Sequence, residues 1–179
     1  MLAILSHGTQ NYCVQTRRRI ALDDLDHRLL TCLQHDASRT LQELGEAVGL
    51  SPSAVQRRIT RYRKAGLITR QVAVLDATVV PGAVLAAVLV TLERESIRAH
   101  EQFRNRMRHA PEVQQCYSLA GERDYLIMVV ANGMSDCRDA VDRLFMDDDN
   151  VKKYTTHIVF DVVKTGLAIA TTTGTLKGG

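Results

Sequence analysis

The chain has 179 residues, 45% of them hydrophobic, with three prolines and eleven glycines, which suits one domain or two small ones and argues against general disorder. No apolar run approaches the roughly 20 residues that span a bilayer, and the opening MLAILSHGTQNYCVQTRRR has too short an apolar run, with its charges on the wrong side, for a secretory signal; a cytoplasmic protein with no membrane partner is expected. Net charge is only +3, yet residues 17–70 hold 11 Lys and Arg against 6 Asp and Glu while residues 71–179 hold 12 against 14, so a polyanion-binding module is expected beside one with another task.

Residues 22–36, LDDLDHRLLTCLQHD, place Leu25, Leu29, Leu30 and Leu33 on one face of a helix. Asp23, Asp24 and Asp26 crowd its first turn, where carboxylates favour the positive end of the helix dipole. In TLQELGEAVGLS, Thr40 and Glu43 form a capping box that starts a second helix at Leu41. Leu41, Leu44 and Val48 are its buried stripe, and Gly49 ends it where φ > 0 is needed. Ser51 then caps a third helix with Pro52 at its first position, and that helix stops at Gly66. Two helices joined by a short Gly-containing turn form the helix-turn-helix pattern.

The third helix, SPSAVQRRITRYRKAG, carries five Lys or Arg and no acid. At 100° per residue, Val55, Ile59 and Tyr62 form an apolar seam. Ser53, Arg57, Thr60 and Lys64 lie opposite, flanked by Gln56 and Arg61. Arg58, beside the seam, is expected to bond a carboxylate or a phosphate. The outer face suits an anionic, groove-shaped partner, and double-stranded DNA fits, because such a helix enters the major groove with its N-terminal residues against base edges. The competing possibility is a solvated basic face on an ordinary three-helix unit.

Downstream, Ile68–Leu75 reads as a strand, closed by Asp76 and Pro81–Gly82. AVLAAVLVTLE is an apolar strand. SIRAHEQFRNRMRH is a helix with Ile97, Phe103 and Met107 inward and Arg98, Arg104, Arg106 and Arg108 outward. VQQCYSLA and DYLIMVVA are strands meeting at Gly121-Glu122-Arg123. SDCRDAVDRLFMD is a helix burying Ala140, Val141, Leu144 and Phe145, and KKYTTHIVFDVV is the last strand. The order βαββαβ is ferredoxin-like. Val84, Ala86, Val88 and Val90 lie on one sheet face, with Leu85, Ala87, Leu89 and Thr91 on the other. With helices covering only one face, a homodimer packed sheet to sheet is expected, presenting two recognition helices to inverted half-sites about one helical turn, or a multiple of it, apart. Cys13, Cys32, Cys116 and Cys137 lack the spacing of a disulfide framework or zinc site and are expected as reduced thiols in or near the core, with Cys13 the most exposed. His157 and the run Asp147–Asp149 lack metal-site spacing, and no nucleophile–base pair, paired carboxylates or phosphate loop points to an enzyme.

Taken together, the L-D-x-x-D opening, L-Q-x-D-x-x-R, E-L-x-x-x-V-G-L-S and V-x-x-R-I-x-R followed by G-L-I closely resemble the DNA-binding module of the Lrp/AsnC, or feast/famine, transcriptional regulators. The resemblance runs from about Leu22 to about Thr171. It implies an α+β fold: an N-terminal winged helix-turn-helix domain over residues 22–70, a linker strand over 71–82 that pairs with its counterpart in a partner chain, and a C-terminal ferredoxin-like βαββαβ (RAM-type) domain over 83–171 for effector binding and oligomerisation. The tail is 172–179. Residues 1–21 exceed the usual length and are either a disordered arm, with Arg17–Arg19 near phosphates, or an over-early start. Tyr62 stands where relatives usually have Leu.

The resemblance assigns Thr40–Ile59 to the helix-turn-helix and Ser51–Ala65 to the recognition helix, so Ser51, Ser53, Gln56, Arg57, Arg58, Thr60, Arg61 and Lys64 are the candidate DNA contacts. The G-x-x-D-Y hairpin stands here as Gly121, Asp124 and Tyr125. In the family this hairpin, the start of the second helix and the last strand line an amino-acid site between subunits, which maps to Gly121, Asp124, Tyr125, Met134, Thr156, His157 and Ile158. Asp124 could accept from an α-ammonium, or simply cap backbone amides as part of a turn. The resemblance thus implies a nucleoid-associated regulator with a small-molecule, amino-acid effector, no cofactor or metal, and a dimer that can assemble to an octamer wrapping DNA. The alternative is an architectural DNA-compacting protein of weak sequence preference.

Overall fold

Two compact units make up the computed structural model, which describes residues 20–75 and 79–171. The first holds residues up to Ala73 together with those from Gly166 onward, and the second is Val74–Thr165, so the chain passes between them twice. Cys13, Asp76 and the outermost residues of both termini lie outside the described residues.

Three helices build the first unit: α1 (Asp24–His35), α2 (Leu41–Val48) and α3 (Pro52–Lys64). Each starts on a side-chain cap. Asp23 accepts from the Asp26 N–H at 2.7 Å while its own N–H donates to the Asp26 carboxylate at 3.0 Å. Thr40 and Glu43 make the same reciprocal pair at 3.2 and 2.7 Å. Ser51 accepts from the Ala54 N–H at 3.3 Å. Caps alone could not hold an eight-residue helix, since isolated helices below about 12–15 residues are marginal in water. Burial does: Leu29, Leu30, Leu44, Val48, Val55, Ile59 and Tyr62 form one core, joined at its margin by Leu22, Leu33, Leu41 and Ile68. Each such side chain contributes about 1.5–3 kcal/mol when removed from water.

The turn from α2 to α3 is tight enough to select two glycines. Gly49 sits at φ 76°, ψ 39°, a left-handed end to α2. Gly45 packs against the far side of the turn, where an added Cβ would overlap the Leu50 carbonyl. The same Gly45 carbonyl accepts from the N–H groups of Gly49 and Leu50 at 2.8 and 2.9 Å.

Asp26 is the polar exception in this core, with 1% of its surface exposed. Its carboxylate accepts from Arg58 and Arg61 and, at 2.5 Å, from the Tyr62 hydroxyl, in addition to the Asp23 N–H. Burial by itself would raise the Asp26 pKa, but the hydrogen bonds from Tyr62, Asp23, Arg58 and Arg61 together drive it well below the ordinary carboxylate range. Tyr62 is pushed upward by burial and then by the neighbouring carboxylate. The first turn of α1 is therefore bolted to the middle of α3.

Four strands and two helices make the second unit: β1 (Ala83–Leu92), α4 (Ile97–His109), β2 (Val113–Ser118), β3 (Tyr125–Asn132), α5 (Met134–Val141), continued by a π-helical turn at Asp142–Met146, and β4 (Val151–Ile158). The sheet order is β2-β3-β1-β4, with every neighbouring pair antiparallel, which is the ferredoxin-like arrangement. Ala86, Val88, Val90 and Leu92 face the helices with Tyr125, Ile127, Val129 and Ala131, where Phe103, Met107, Ala140, Val141, Leu144 and Phe145 cover them. Alternate residues Leu85, Ala87 and Leu89 on β1 and Leu126, Met128 and Val130 on β3 remain half-exposed on the uncovered face. Asp148 is held by Arg106 and caps the Asn150 N–H at 2.9 Å, and among the described residues no cluster of His, Cys, Asp or Glu could hold a metal. No described helix is long and apolar enough to cross a membrane.

Four elements differ from the sequence reading. Within the single chain Ile68–Leu75 joins no sheet: the N–H groups of Leu67 and Ile68 close the end of α3 on the Tyr62 carbonyl, and the ladder partner expected for the segment belongs to a second copy. The first unit accordingly has no β-wing among its described residues. Ile97, the first residue of α4, is exposed, and Ala99 and His100 take the inward positions instead. Cys116 is exposed on the edge strand β2, whereas Cys137 is buried. Beyond Ile158 the chain leaves the sheet and reaches α1, where the Gln34 side-chain amide pairs with both backbone groups of Ile169 at 2.8 and 3.0 Å and His27 bonds the Thr171 hydroxyl at 3.0 Å.

Two outcomes are expected. Gly45→Ala should cost about 1–3 kcal/mol as an overpacked contact, although Ala is otherwise the better helix former by about 1 kcal/mol; a urea melt showing no loss would contradict the close approach. Because Asp26 titrates lower in the folded than in the unfolded chain, the stability it confers is complete above about pH 4 and drains away as pH falls below that. Asp26→Asn should be less stable at neutral pH and should flatten the acid limb of the stability curve, followed by helical circular dichroism.

Candidate nucleic-acid interface and effector site

The outward side of α3 is polar from end to end. Ser51, Ser53, Gln56, Arg57, Arg61 and Lys64 are exposed, and Thr60 and Arg58 are half-buried. Ser51 is occupied as the helix cap and bonds the Ser53 hydroxyl at 3.1 Å. Gln56 donates to Thr60 at 3.4 Å, a weak bond that leaves its amide available. Arg63 is tied to Gln71 at 2.6 Å. Among the described residues Arg57 and Lys64 enter no salt bridge. Arg57, Arg58 and Arg61 line a shallow recess of about 170 Å³.

Arg58 and Arg61 are not free cations. Arg58 donates to both Asp23 oxygens at 2.9 and 3.0 Å and to Asp26, and these acids, Asp26 first, raise its pKa further above its ordinary value. It therefore holds α3 on α1, the carboxylate bond expected of it from its place beside the apolar seam. Arg61 also donates to Asp26, and its guanidinium lies 5.5 Å from the centre of the Tyr62 ring. Sequence reading missed Asp26 as a partner because three aspartates in one first turn already had a reason in the helix dipole. The signal was its spacing: Asp26 lies on the same face as Leu29, Leu30 and Leu33, which is an inward position.

The seven candidate effector residues do not converge within one chain. Gly121 and Asp124 lie in the hairpin before β3, and Met134 follows its other end, so the strand separates them by roughly 25 Å at about 3.3 Å per residue. The Asp124 carboxylate accepts from the Leu92 N–H at 2.7 Å, the turn-forming role the sequence allowed. Tyr125 is fully buried, its hydroxyl 2.8 Å from His100 Nδ1 and its ring against Phe103. Thr156 and Ile158 pair with Val88 and Ala86 and so share the helix-covered face, while His157 pairs with Ala87 and lies on the uncovered one. Met134 is exposed at the start of α5, and the Thr156 hydroxyl is buried without a hydrogen-bond partner.

Comparison with known proteins places this geometry. Residues 22–63 match the AsnC-type helix-turn-helix domain and residues 85–169 the Lrp/AsnC ligand binding domain. An uncharacterised HTH-type transcriptional regulator of Sinorhizobium fredii is 34% identical over 148 residues, covering 83% of this chain and 88% of that protein. The leucine-responsive regulatory protein of Escherichia coli K12 is 30% identical over 143 residues, covering 80% and 87%. The crystal structure of a Neisseria meningitidis transcriptional regulator in complex with L-methionine superposes with a TM-score of 0.75 at 30% identity, covering 83% of this chain and 96% of that one. With both of its units matched in order, the chain belongs to the Lrp/AsnC family of DNA-binding transcriptional regulators.

Proposed function

We propose that the protein binds operator sites as a dimer through paired α3 helices and that an amino acid bound between subunits modulates that binding. The observation that carries the DNA half is the exposed polar face of α3, with Arg57 and Lys64 in no salt bridge among the described residues while Val55, Ile59 and Tyr62 are buried. Ser53, Gln56 and Arg57 suit base edges, and Arg61 and Lys64 suit phosphates. Dimerisation is supported by the uncovered sheet face and by the exposed apolar side chains of Val72, Val74 and Leu75 in the extended linker, which a second copy would cover. The effector half is supported by the separation of the Gly121–Tyr125 hairpin from Met134 at the other end of β3, which a pocket using both would bridge with two chains, and by the L-methionine complex of the Neisseria relative. The soluble, nucleoid-associated location follows from the same reading.

Arg57→Ala should weaken binding to an operator selected from a random-sequence duplex pool by about 1–3 kcal/mol and relax base preference at one position. Unchanged affinity at fixed salt would remove Arg57 from the interface. In a thermal-shift screen of the twenty amino acids, the effector should raise the melting temperature, the gain reaching about 2.7 kcal/mol at a hundredfold excess over Kd. If none does so, and none alters operator affinity, the amino-acid reading falls and an architectural role gains.

A further inference from the structure

Arg57, Arg58 and Arg61 border one recess on the outer side of α3. Its three arginines converge from one helix, and two of them are fixed from behind by a carboxylate that is 1% exposed. Arg58 is largely enclosed, with 18% of its side chain exposed, whereas Arg61 keeps 46%. The Asp26 oxygen takes an N–H of one Arg61 terminal nitrogen, and a guanidinium has five N–H donors in a planar fork, so its remaining donors can face outward. The Tyr62 ring limits the same group from the side. Charge bookkeeping leaves the recess attractive to an anion: three arginines against Asp23 and Asp26 retain one positive charge.

We propose that Asp26 is the positioning residue of a phosphate seat, holding Arg58 and Arg61 so that, with Arg57, they receive one backbone phosphate of duplex DNA. The proposal rests on α3 being the DNA-contacting helix and adds how a pair of its cations is aimed. A free arginine must give up rotamer freedom when it binds a phosphate, and one already anchored has given it up on folding. The carboxylate thus aids binding to a polyanion although its own charge repels one.

That opposition of signs makes the test sharp. Binding to a mixed-sequence duplex, where backbone contacts dominate, is measured across a salt series. Removing a negative charge near DNA should tighten binding and steepen the dependence of log K on log salt. The seat requires the reverse for Asp26→Asn: affinity lower by about three- to tenfold and a slope shallower by about one, the signature of a lost phosphate contact. In an Arg61→Ala background, Asp26→Asn should add little further loss of affinity. A purely structural Asp26 would lower the melting temperature, recorded in parallel, and leave the slope alone.

Arg61→Lys supplies a second reading should Asp26→Asn fail to fold. Lysine keeps the charge but not the fork that lets one group be held behind and still face forward, so it should bind several-fold more weakly than the parent. Asp26→Asn binding as tightly as the parent or tighter, or Arg61→Lys matching the parent, would overturn the seat. If Lys64→Ala and Arg57→Ala also had no effect, the interface itself would be misplaced. If they weaken binding while Asp26→Asn does not, only the seat is lost.

Discussion

A single buried carboxylate sets the geometry on which the DNA-binding unit depends. Helix α3 carries Arg57, Arg58, Arg61, Arg63 and Lys64 with no acid of its own. Like charges three or four residues apart, such as Arg57 with Arg61, each cost an isolated helix about 0.2–0.5 kcal/mol. Its apolar seam is only three residues wide. Asp26 and Asp23, presented by the first turn of α1, neutralise two of those charges from a neighbouring helix. Burying a carboxylate costs several kcal/mol after relaxation, and here four converging donors offset it. The arrangement tolerates little slip: a shift of α3 along α1 would leave an unpaired charge inside. Apolar burial makes the helices associate, and the ionic cluster selects the register.

The sheet unit shows the complementary case, in which a requirement is left open. Strand β1 is apolar on both faces, yet α4 and α5 cover only the side holding Ala86, Val88, Val90 and Leu92. Pairing with β3 and β4 satisfies its backbone on both edges, so nothing in hydrogen bonding demands more. The demand comes from Leu85, Leu89, Leu126 and Met128, half-exposed on the uncovered face. The linker and the stretch after β4 repeat the pattern, with Val74 and Phe160 fully or largely in solvent. These apolar side chains are the ones the proposed second copy would cover.

Features set by neighbours in sequence were legible without coordinates. The Thr40–Glu43 cap, the Gly49 stop, Pro52 at the head of α3 and the alternation of β1 each follow from local stereochemistry, and each stands where its spacing placed it. What escaped were features set by contacts distant in sequence. Asp26 has an adequate local explanation in the helix dipole, and only the fold brings Tyr62 to it across 36 positions. Ile68–Leu75 has strand composition, but composition cannot provide a ladder partner. Nothing in the sequence singled out Gly45, because the Leu50 carbonyl that excludes a Cβ there comes from the far side of the turn. Tyr62 was legible as an apolar anchor and not as a donor, since its hydroxyl has meaning only beside a buried acid.

The candidate effector residues pose a geometric problem that bears on how such a site could be built. Asp124 and Met134 lie at opposite ends of β3, and no rotamer change brings side chains together across an eight-residue strand. Within one chain, Asp124 is also satisfied by Leu92, and Tyr125 by His100. A pocket that used both groups would therefore take its hairpin from one copy and its α5 and β4 residues from another. The uncovered sheet face is the apolar surface the proposed second copy would cover, and the split residues are those the proposed shared pocket would join. Those two demands arise from different side chains and different forces, so a ligand seated across such a boundary would report on assembly as directly as on its own concentration.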